Sequence, residues 1–474
     1  MQSDDRPILI VGYTAGWKSV AARHHGHGTT VFLDTPGAAR EKNLAEVLAG
    51  AEAACELVEI EYEDPDAASR FHREYRGRPP AAVIPGIEYA VPFAARLAEL
   101  YGLPGAGPHA ADRLRDKWLL RQAVAGSGVR GPLSRPVEHP DDVRRLMALT
   151  GTAVVLKPAN RQGSIGTRIV RAPEQVDEAW RECVLAEHDA MAAQSAVPAR
   201  MLAETFLEGP EYSVELLVRD GGAFFRNVTA KSLFPGDRPV ELGHVVPGAP
   251  DPAVEELLYS ATETLLRTVG FGTGFVHCEW ILVDGVPHLV ECAGRMPGGG
   301  IIDLIESAWD FDIVREYLRL MRGQEPTSEL PARPSAGACT WFVTAEPGRV
   351  ERVDGVAEAA DRLGVLAVHL LVGPGPVVRA PRSGRDRVGY VMAGGSTGET
   401  ARQRAQAAAR SIRVVVAPPQ PPSSPPASAP APASASTSSS PPTPASASTS
   451  SSPPTPASSP TPAPTSPAPP PPSL

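Results

Sequence analysis

The sequence predicts a mixed α/β protein, and two observations lead to this fold class. Over residues 7 to 112, short apolar runs that end in turn residues alternate with helical stretches, as in a parallel sheet covered by helices. Beyond residue 150, strand patterns follow one another across short turns that contain glycine or proline. We therefore expect a parallel α/β layer at the start of the chain and an α+β region after it.

The predicted parallel layer contains the strand patterns PILIVG, TTVFLD and AAVIPG and the helical stretch AVPFAARLAELYG. Ligands of such a layer usually bind at the carboxyl ends of its strands. The turn from Gly12 to Gly16 lacks the full GxGxxG pattern of a dinucleotide site, although Asp34 stands in a plausible place for its acid. A tight strand-to-helix turn explains these glycines better.

The next region combines lysines with a glycine-rich loop. An amphipathic helix is predicted over residues 112 to 128 and contains Lys117. The apolar strand TAVVLKP ends near Lys157, and the loop of residues 162 to 167 leads into another strand. Backbone N–H groups of such a loop can close over phosphates. An ordinary hairpin turn beside a surface lysine is the alternative.

Two further strands follow in RMLAETFLEGPEYSVELLV, residues 200 to 218. The first carries Glu204, the chain turns at Gly209-Pro210, and the second strand resumes at Glu211. The chain then passes Lys231 before the helix DPAVEELLYSATETLLRTVGF. Taken alone, Lys231 has the pattern of a solvated strand charge.

The segment PVELGHVVPG places Glu241 and His244 close together in the chain, before that helix. By itself, His244 is typical of a histidine whose hydrogen bonds are satisfied within a loop.

A β-hairpin predicted within residues 275 to 300 carries Glu279 and Glu291. A two-residue turn at Asp284-Gly285 would put these acids on opposite faces, whereas a three-residue loop starting at Val283, with Gly285 left-handed, makes them diagonal neighbours on one face. We expect the three-residue loop. Close carboxylates repel unless a cation lies between them, and Mg²⁺ prefers carboxylate oxygens. Two unrelated acids on a solvated face are the alternative. The expected register adds His277 to the acidic face and leaves an apolar face of Val276, Cys278, Trp280, Leu282, Val290 and Cys292.

The last part of the chain has a composition unlike the rest. Hydropathy is that of a globular protein until about Val416, but residues 418 to 474 are Pro, Ser, Ala, Thr, Leu and Gln, without charge or aromatic rings. The unit ASASTSSSPPTP occurs there twice in succession. Such a segment cannot bury enough apolar surface to fold, so we expect a disordered tail; a Pro-rich docking or tethering segment is the alternative.

Composition also limits the partners. The formal net charge of −9 argues against nucleic acid and against an anionic membrane surface. The 5 cysteines are scattered, which favours a reducing compartment over a disulfide framework or a zinc site. No signal peptide or membrane span is recognisable, so we expect a soluble cytoplasmic protein.

The order of these motifs resembles the ATP-grasp superfamily of carboxylate–amine ligases over residues ~7 to 416. The chain is most similar to the L-amino acid ligases that form dipeptides, through PGIEYAVPFAARLAELYGLPG, VTAKSLF, ELGHVVPG and ECAGRMPGGG. The resemblance implies an N-terminal pre-ATP-grasp domain at 1–112, an ATP-grasp domain at 113–324 with its lid at about 130–208, a small C-terminal domain at 325–416 and the tail at 417–474.

The resemblance also implies a site for ATP and for one or two Mg²⁺ ions, which Mn²⁺ can replace. Glu279 and Glu291 would bridge the metal. Family members usually carry Asn two residues after the second acid, where this chain has Ala293, so Glu241 would supply the missing ligand; otherwise the site holds one ion. The residues implied in ATP binding are Lys117, Lys157, Gln162, Gly163, Ser164, Gly166, Thr167, Glu204, Phe206, Leu207 and Glu211.

The catalytic residues that the resemblance implies are Arg295, Lys231 and His244. Arg295 would face the substrate carboxylate and the acyl phosphate formed from it, because a planar guanidinium suits either oxyanion. Lys231 would neutralise a phosphate. The implied substrate contacts are Glu88, Tyr89, His244, Arg295, Gly298 and Gly299, and the two glycines suggest room for a larger side chain.

The activity implied is ATP-dependent formation of an amide (peptide) bond between an amino acid or small carboxylate and an amino acid. It would proceed through an acyl phosphate and release ADP and phosphate. Small-molecule amino acids are the expected partners, and homodimers are common among related ligases. The alternatives are a purine-type carboxylase or formyl-transfer ligase, and an inactive pseudo-ligase that binds ATP.

Overall fold

A computed structural model describes residues 5–24, 29–51, 53–191, 195, 197–328 and 330–417, with the backbone alone described at 186–191. The tail predicted to be disordered lies, apart from Ala417, outside the described residues.

Strands and helices alternate at the start of the chain and strands dominate afterwards, as the sequence predicts. The strands are β1 (Ile8–Val11), β2 (Thr30–Asp34), β3 (Cys55–Glu59), β4 (Ala82–Pro85), β5 (Ser134–Pro136), β6 (Val154–Pro158), β7 (Arg168–Val170), β8 (Met201–Thr205), β9 (Glu211–Arg219), β10 (Gly222–Leu233), β11 (Glu241–Val246), β12 (Gly274–Val283), β13 (Val286–Ala293), β14 (Gly337–Phe342), β15 (Gly348–Asp354), β16 (Val365–Leu370), β17 (Val377–Val378), β18 (Gly389–Gly395) and β19 (Arg413–Ala417). The helices are α1 (Ala15–His24), α2 (Pro36–Glu41), α3 (Leu44–Ala49), α4 (Ala67–Glu74), α5 (Val91–Leu100), α6 (Pro108–Arg115), α7 (Lys117–Ala123), α8 (Pro140–Thr150), α9 (Val176–Met191), α10 (Pro252–Val269), α11 (Ile301–Trp309), α12 (Ile313–Met321), α13 (Val356–Ala360) and α14 (Gly398–Ser411).

The N-terminal sheet is parallel, with strand order β3-β2-β1-β4, and confirms the predicted parallel layer. The chain leaves β1 at Gly12 and β4 at Gly86. A Cβ on Gly86 would lie 2.2 Å from the Gly12 carbonyl oxygen, and Gly12 has a φ of +85°. The two strand ends can therefore approach each other only because both residues are glycine.

The largest sheet in the described part of the chain is antiparallel and runs β13-β12-β9-β10-β11-β14-β18-β16. One face buries Val214 and Val276 in the core that also contains Leu265 of α10. The other face buries Leu217 and Phe275 in the core of α11 and α12. Side chains alternate along a strand, so this second face also carries the acids of β9 and β12.

Two smaller antiparallel sheets complete the described fold. The sheet β5-β8-β6-β7 packs against α8 and α9 and lies within the region predicted as the lid. The sheet β17-β15-β19 packs near α13 and α14. Strands β14, β18 and β16 from the C-terminal part of the chain extend the largest sheet beside β11, which brings this part of the chain close to Glu241.

The single helix predicted over residues 112 to 128 is wrong, because the chain forms α6 and α7 with a break at Asp116. Asp116 has extended backbone angles (φ −128°, ψ 118°), and its carboxylate accepts a hydrogen bond from the Leu119 N–H. An Asp side chain that satisfies a free N–H of the first turn starts a new helix. The break places Lys117 at the beginning of α7, beside the strand that carries Glu291.

The predicted hairpin register is also wrong, although the acids do share a face. The turn is the two-residue one, with Val283 paired to Val286, and both Asp284 (φ 48°) and Gly285 (φ 77°) are left-handed. A β-bulge at Val290 then shifts the ladder, so that Glu279 is directly opposite Glu291. A bulge adds one residue to one strand and so reverses the facing of everything beyond it. As a result Leu289 is buried in the apolar face in place of the predicted Val290.

We expect Gly285→Ala to reduce the free energy of unfolding by about 1–2 kcal/mol, because a left-handed backbone costs that much for a residue with a Cβ. Gly373→Ala is the matched control: its φ is not left-handed and no atom lies within 4 Å of the added Cβ. Urea unfolding of both variants measures the difference. Equal stability of the two variants would contradict a left-handed backbone at Gly285.

Candidate functional site

A cleft of about 1080 Å³ opens between the largest sheet, the glycine-rich loop and the start of α11. The N-terminal layer adds Trp17 to its wall and the C-terminal part adds Arg387. Many of the predicted site residues line it: Lys117, Lys157, Gln162, Gly163, Ser164, Thr167, Glu204, Phe206, Leu207, Glu211, Lys231, Glu241, Glu279, Glu291, Arg295, Gly298 and Gly299. The predicted residues Glu88, Tyr89, Gly166 and His244 do not line the cleft.

The two hairpin acids each contact a lysine ammonium. Glu279 forms an ion pair with the buried Lys231, and a carboxylate oxygen of Glu291 lies 2.7 Å from the Lys117 Nζ. Lys117 Nζ also donates to the Arg161 carbonyl at 2.7 Å. The directly opposed carboxylates are therefore neutralised by cations on either side.

Lys231 forms ion pairs with acids from three strands. Its Nζ lies 2.8 Å from Glu241 and 3.3 Å from Glu211, in addition to the contact with Glu279. Burial alone would lower the pKa of Lys231, but Glu241, Glu279 and Glu211 together raise it well above its usual value. Burial raises the pKa of Glu211 to about 7 against the pull of Lys231, so this acid is the one of the group that takes up a proton most easily.

His277 links these acids to a second buried carboxylate, Glu215. Its Nδ1 lies 2.9 Å from Glu215 and its Nε2 lies 3.1 Å from Glu279. Burial would lower the pKa of His277, but the hydrogen bonds to Glu215 and Glu279 raise it to about 9, so the ring carries a positive charge at neutral pH. Glu215 also accepts hydrogen bonds from Ser213 Oγ at 2.6 Å and Thr229 Oγ1 at 2.7 Å.

A second ion-pair group surrounds Glu204, which also lines the cleft. The buried Glu204 contacts Lys157 Nζ at 2.6 Å and Arg121 Nε at 2.9 Å, and it accepts a hydrogen bond from Ser134 Oγ at 2.6 Å. Burial would raise the pKa of Glu204, but Arg121 and Lys157 lower it to about 2. The resemblance implied ATP binding for both Lys157 and Glu204, without predicting that the two residues pair with each other.

The glycine-rich loop between β6 and β7 is held from two sides. Ser164 Oγ donates to the Pro239 carbonyl at 2.7 Å, and the Gly163 carbonyl accepts from the Gly384 N–H at 3.3 Å. Gly166 has a φ of +64° and lies against Pro158, so it shapes the turn instead of lining the cleft.

His244 lies behind the cleft wall and is fully buried. Its Nδ1 is 3.0 Å from the Gly299 carbonyl oxygen and its Nε2 is 3.5 Å from Glu241. The sequence suggested that Gly299 leaves room for a larger substrate side chain. A Cβ on Gly299 would lie 2.5 Å from the His244 ring, so this glycine makes space for the histidine. No atom lies within 4 Å of a Cβ on Gly298, so of these two glycines only Gly298 borders open space.

Arg295 faces the cleft and is fixed by Glu88. Its Nε lies 2.7 Å from a carboxylate oxygen of Glu88, an ion pair without hydrogen-bond geometry, and its Nη1 donates to the Met296 carbonyl at 2.8 Å. Tyr89 is buried in the core of the N-terminal layer with the Arg115 guanidinium 4.4 Å from its ring centre. Of the predicted substrate contacts, Glu88 is therefore paired with Arg295, and Tyr89 is buried away from the cleft lining.

Sequence reasoning missed Arg121, Glu215 and Arg387. Arg387 lies 146 positions from Glu241 in the chain but donates to its carboxylate at 2.6 Å. No local pattern marks such a residue, because only the sheet topology brings it to the cleft. The alternation of Ser213 and Glu215 on an apolar strand was a signal that could have identified Glu215.

The acids of the cleft are suited to a hard divalent ion. Glu279, Glu291 and Glu241 offer carboxylate oxygens, which Mg²⁺ prefers, and Mg²⁺ usually takes one or two carboxylates together with the phosphates of a nucleotide. Within the described ranges, no group of three His, Cys, Asp or Glu side chains is arranged to hold a metal ion by itself. The residues fit an ion that arrives with phosphates, not a metal cage made by the protein alone.

Comparison with known proteins agrees with this geometry. Residues 150–303 match the ATP-grasp domain family, and residues 341–417 match the L-amino acid ligase C-terminal domain 2. The chain is 26% identical to an uncharacterised protein of Sinorhizobium fredii over 68% of this chain and 66% of that protein. It is 27% identical to the alanine–anticapsin ligase of Bacillus subtilis over 48% of this chain and 51% of that enzyme, so it spans about half the length of this relative.

The solved structure of an L-amino acid ligase from Bacillus licheniformis superposes with a TM-score of 0.69 at 18% identity, covering 87% of this chain and 99% of that chain. The fold is therefore the ATP-grasp fold, and the chain contains an ATP-grasp domain. Its C-terminal part is similar to the C-terminal domain of L-amino acid ligases. Among the described residues, no helix has the length and apolarity to cross a membrane.

We expect Glu204→Gln to reduce the free energy of unfolding by about 3–5 kcal/mol, because it leaves Arg121 and Lys157 buried with no opposing charge. Glu256→Gln is the matched control, since its side chain is 67% exposed and its ion pair with Arg226 spans 3.6 Å. Urea unfolding should show a loss of less than about 0.5 kcal/mol for the control. Similar losses for both variants would mean that the buried pair does not stabilise the fold.

We expect the His277 ring to remain protonated until the pH approaches about 9. Because this folded-state pKa lies above the unfolded value of about 6.5, the stabilisation from His277 is complete below about pH 6.5 and is lost as the pH rises through about 9. NMR of the imidazole protons and urea unfolding of His277→Asn at several pH values would measure this. The exposed His109→Asn is the control. Titration of His277 near its ordinary pKa would contradict the arrangement.

Proposed function

We propose that the chain is an ATP-dependent carboxylate–amine ligase that joins an amino acid or small carboxylate to an amino acid and releases ADP and phosphate. The observation that carries the proposal is the pair of directly opposed acids, Glu279 and Glu291, on the wall of a cleft bordered by a glycine-rich loop. The ATP-grasp domain and the L-amino acid ligase C-terminal domain in the same chain support it.

In this proposal ATP lies between the sheet β5-β8-β6-β7 of the predicted lid and the largest sheet. Phe206 and Leu207 follow the strand that carries Glu204 and offer an apolar edge for the adenine ring. The loop of residues 162 to 167 covers the phosphates with its backbone N–H groups. Lys117 and Lys157 bring positive charge to the same side of the cleft.

Mg²⁺ would be held by Glu279 and Glu291 together with the nucleotide phosphates, and Glu241 is available as a third acid. When bound, the ion neutralises charge on the phosphates during phosphoryl transfer. Lys231 and Lys117 balance these carboxylates before the ligands arrive, so binding exchanges one set of cations for another. This exchange lets the acids stay charged in a buried place.

Arg295 would orient the substrate carboxylate, because Glu88 holds its guanidinium at the cleft wall. The carboxylate attacks the γ-phosphate of ATP, which forms an acyl phosphate and releases ADP. The amine of the second substrate then attacks the acyl carbon, and phosphate leaves. A closed glycine-rich loop would protect the acyl phosphate from water.

The amine must lose a proton before it can attack. Glu211 is suited to accept it, because burial raises the pKa of this carboxylate to about 7 and it lines the cleft. His244, which the resemblance places among the catalytic residues, is fully buried and does not line the cleft. An amino acid as one of the substrates is supported by the similarity to the alanine–anticapsin ligase.

We expect ADP and phosphate to appear only when ATP, Mg²⁺ and a suitable pair of amino acids are all present. Screening amino-acid pairs for phosphate release, with mass detection of the product, tests this. Release of AMP and pyrophosphate, or turnover that depends on formate or bicarbonate, would overturn the proposal. Binding of ATP without turnover on any pair would identify a pseudo-ligase.

We expect Glu279→Gln and Glu291→Gln each to lower kcat at least about 100-fold, because each removes charge that stabilises the transferring phosphate. Glu358→Gln is the matched control, since its side chain is 70% exposed and belongs to α13. The initial rate of ADP release measures the effect at saturating ATP. Full activity of Glu279→Gln would place the chemistry elsewhere.

A further inference from the structure

Arg387 is held rigidly by the turn that precedes it. The Asp386 carboxylate accepts hydrogen bonds from the N–H groups of Arg382 and Ser383, both at 2.9 Å. The same turn donates the Gly384 N–H to the Gly163 carbonyl of the glycine-rich loop at 3.3 Å. One short segment of the C-terminal part therefore contacts the loop over the cleft and supplies a side chain to the cleft wall.

The guanidinium of Arg387 binds both the side-chain carboxylate and the backbone carbonyl of Glu241. Its Nη2 donates to a Glu241 carboxylate oxygen, Oε2, at 2.6 Å, and its Nε and Nη2 donate to the Glu241 carbonyl oxygen at 3.2 and 3.1 Å. Its face lies 3.7 Å from the centre of the Phe342 ring. Only 10% of the side chain is exposed, so stacking and hydrogen bonds leave it one orientation.

These hydrogen bonds from Arg387 determine which carboxylate oxygen of Glu241 is available to the cleft. Arg387 occupies Oε2, whereas Oε1 lies 2.8 Å from Lys231 Nζ and 3.5 Å from His244 Nε2. Oε1 therefore points to the position that the Lys231 ammonium fills, and both residues line the cleft. A carboxylate that lost its Arg387 contact could rotate and present either oxygen or neither.

We propose that Arg387 is a positioning residue of the ligase site, which holds Glu241 so that its Oε1 faces the bound metal–nucleotide. The inference rests on the proposed function for its chemistry, but the contacts are independent of it. It makes the C-terminal domain a part of the active centre. Residues that orient a metal ligand through hydrogen bonds typically contribute 10–100-fold to metal affinity or activity.

A purely structural role for Arg387 would give a different result. If the residue served only to join β11 to the segment before β18, its loss would lower thermal stability and leave the metal dependence of the remaining folded protein unchanged. The test therefore measures metal binding directly as well as activity. Arg382→Gln is the matched control, because it makes the same change of charge at an exposed position in the same turn.

The experiment measures free Mn²⁺ by electron paramagnetic resonance in the presence of a non-hydrolysable ATP analogue. We expect Arg387→Gln to weaken Mn²⁺ binding about 10–100-fold and to raise the Mg²⁺ concentration needed for half-maximal ADP release by a similar factor. Arg387→Lys should recover part of the loss, because it keeps the charge without the two-pronged geometry. Arg382→Gln should behave as the unchanged chain.

A double variant keeps the inference testable if Arg387→Gln also loses stability. In a Glu241→Gln background, Arg387→Gln should weaken Mn²⁺ binding no further, because the two residues act together. Unchanged Mn²⁺ binding in Arg387→Gln, a purely additive double variant, or no Mn²⁺ binding by the unchanged chain would each overturn the inference. Absence of amide product with intact Mn²⁺ binding would instead count against the proposed function alone.

Discussion

The ion pairs of Lys231 are the interaction on which the site depends. Glu211 on β9, Glu241 on β11 and Glu279 on β12 all turn their carboxylates toward one buried ammonium. Without it, three desolvated acids would repel one another and the strands that carry them could not pack at this spacing. The protein therefore keeps a negative centre in its interior by supplying a cation from β10, and the same acids line the cleft.

The protonated ring of His277 extends this balance along the same face of the sheet. It holds Glu279 on one side and Glu215 on the other, and Glu215 is itself bound by Ser213 and Thr229. Each acid of the face thus has at least one donor whose own position is fixed by another strand. Such a network resists rearrangement, because moving one member leaves another without a partner at a buried site.

The sequence was sufficient for the class of fold and for a hairpin that carries two acids, because these are recorded locally as strand patterns, turns and a pair of glutamates. It was not sufficient for the register. The two-residue turn and the bulge at Val290 have opposite effects on side-chain facing, and only their combination puts Glu279 opposite Glu291. A bulge has no reliable local pattern. The break between α6 and α7 at Asp116 was likewise not predicted, because an Asp within an apolar periodicity can cap a helix or simply face solvent.

Contacts between distant parts of the chain explain the features of the site that the sequence did not predict. The pairing of Lys157 and Glu204, the burial of His244 against Gly299 and the reach of Arg387 to Glu241 all depend on how the strands are ordered in space. The order of the largest sheet is decisive for the last of these. Because β11 lies between β10 and β14, Glu241 has Lys231 on one side and the C-terminal segment on the other. An acid at the boundary between two parts of a sheet can be oriented by both, which is how a residue beyond position 341 comes to contact Glu241 in the cleft wall.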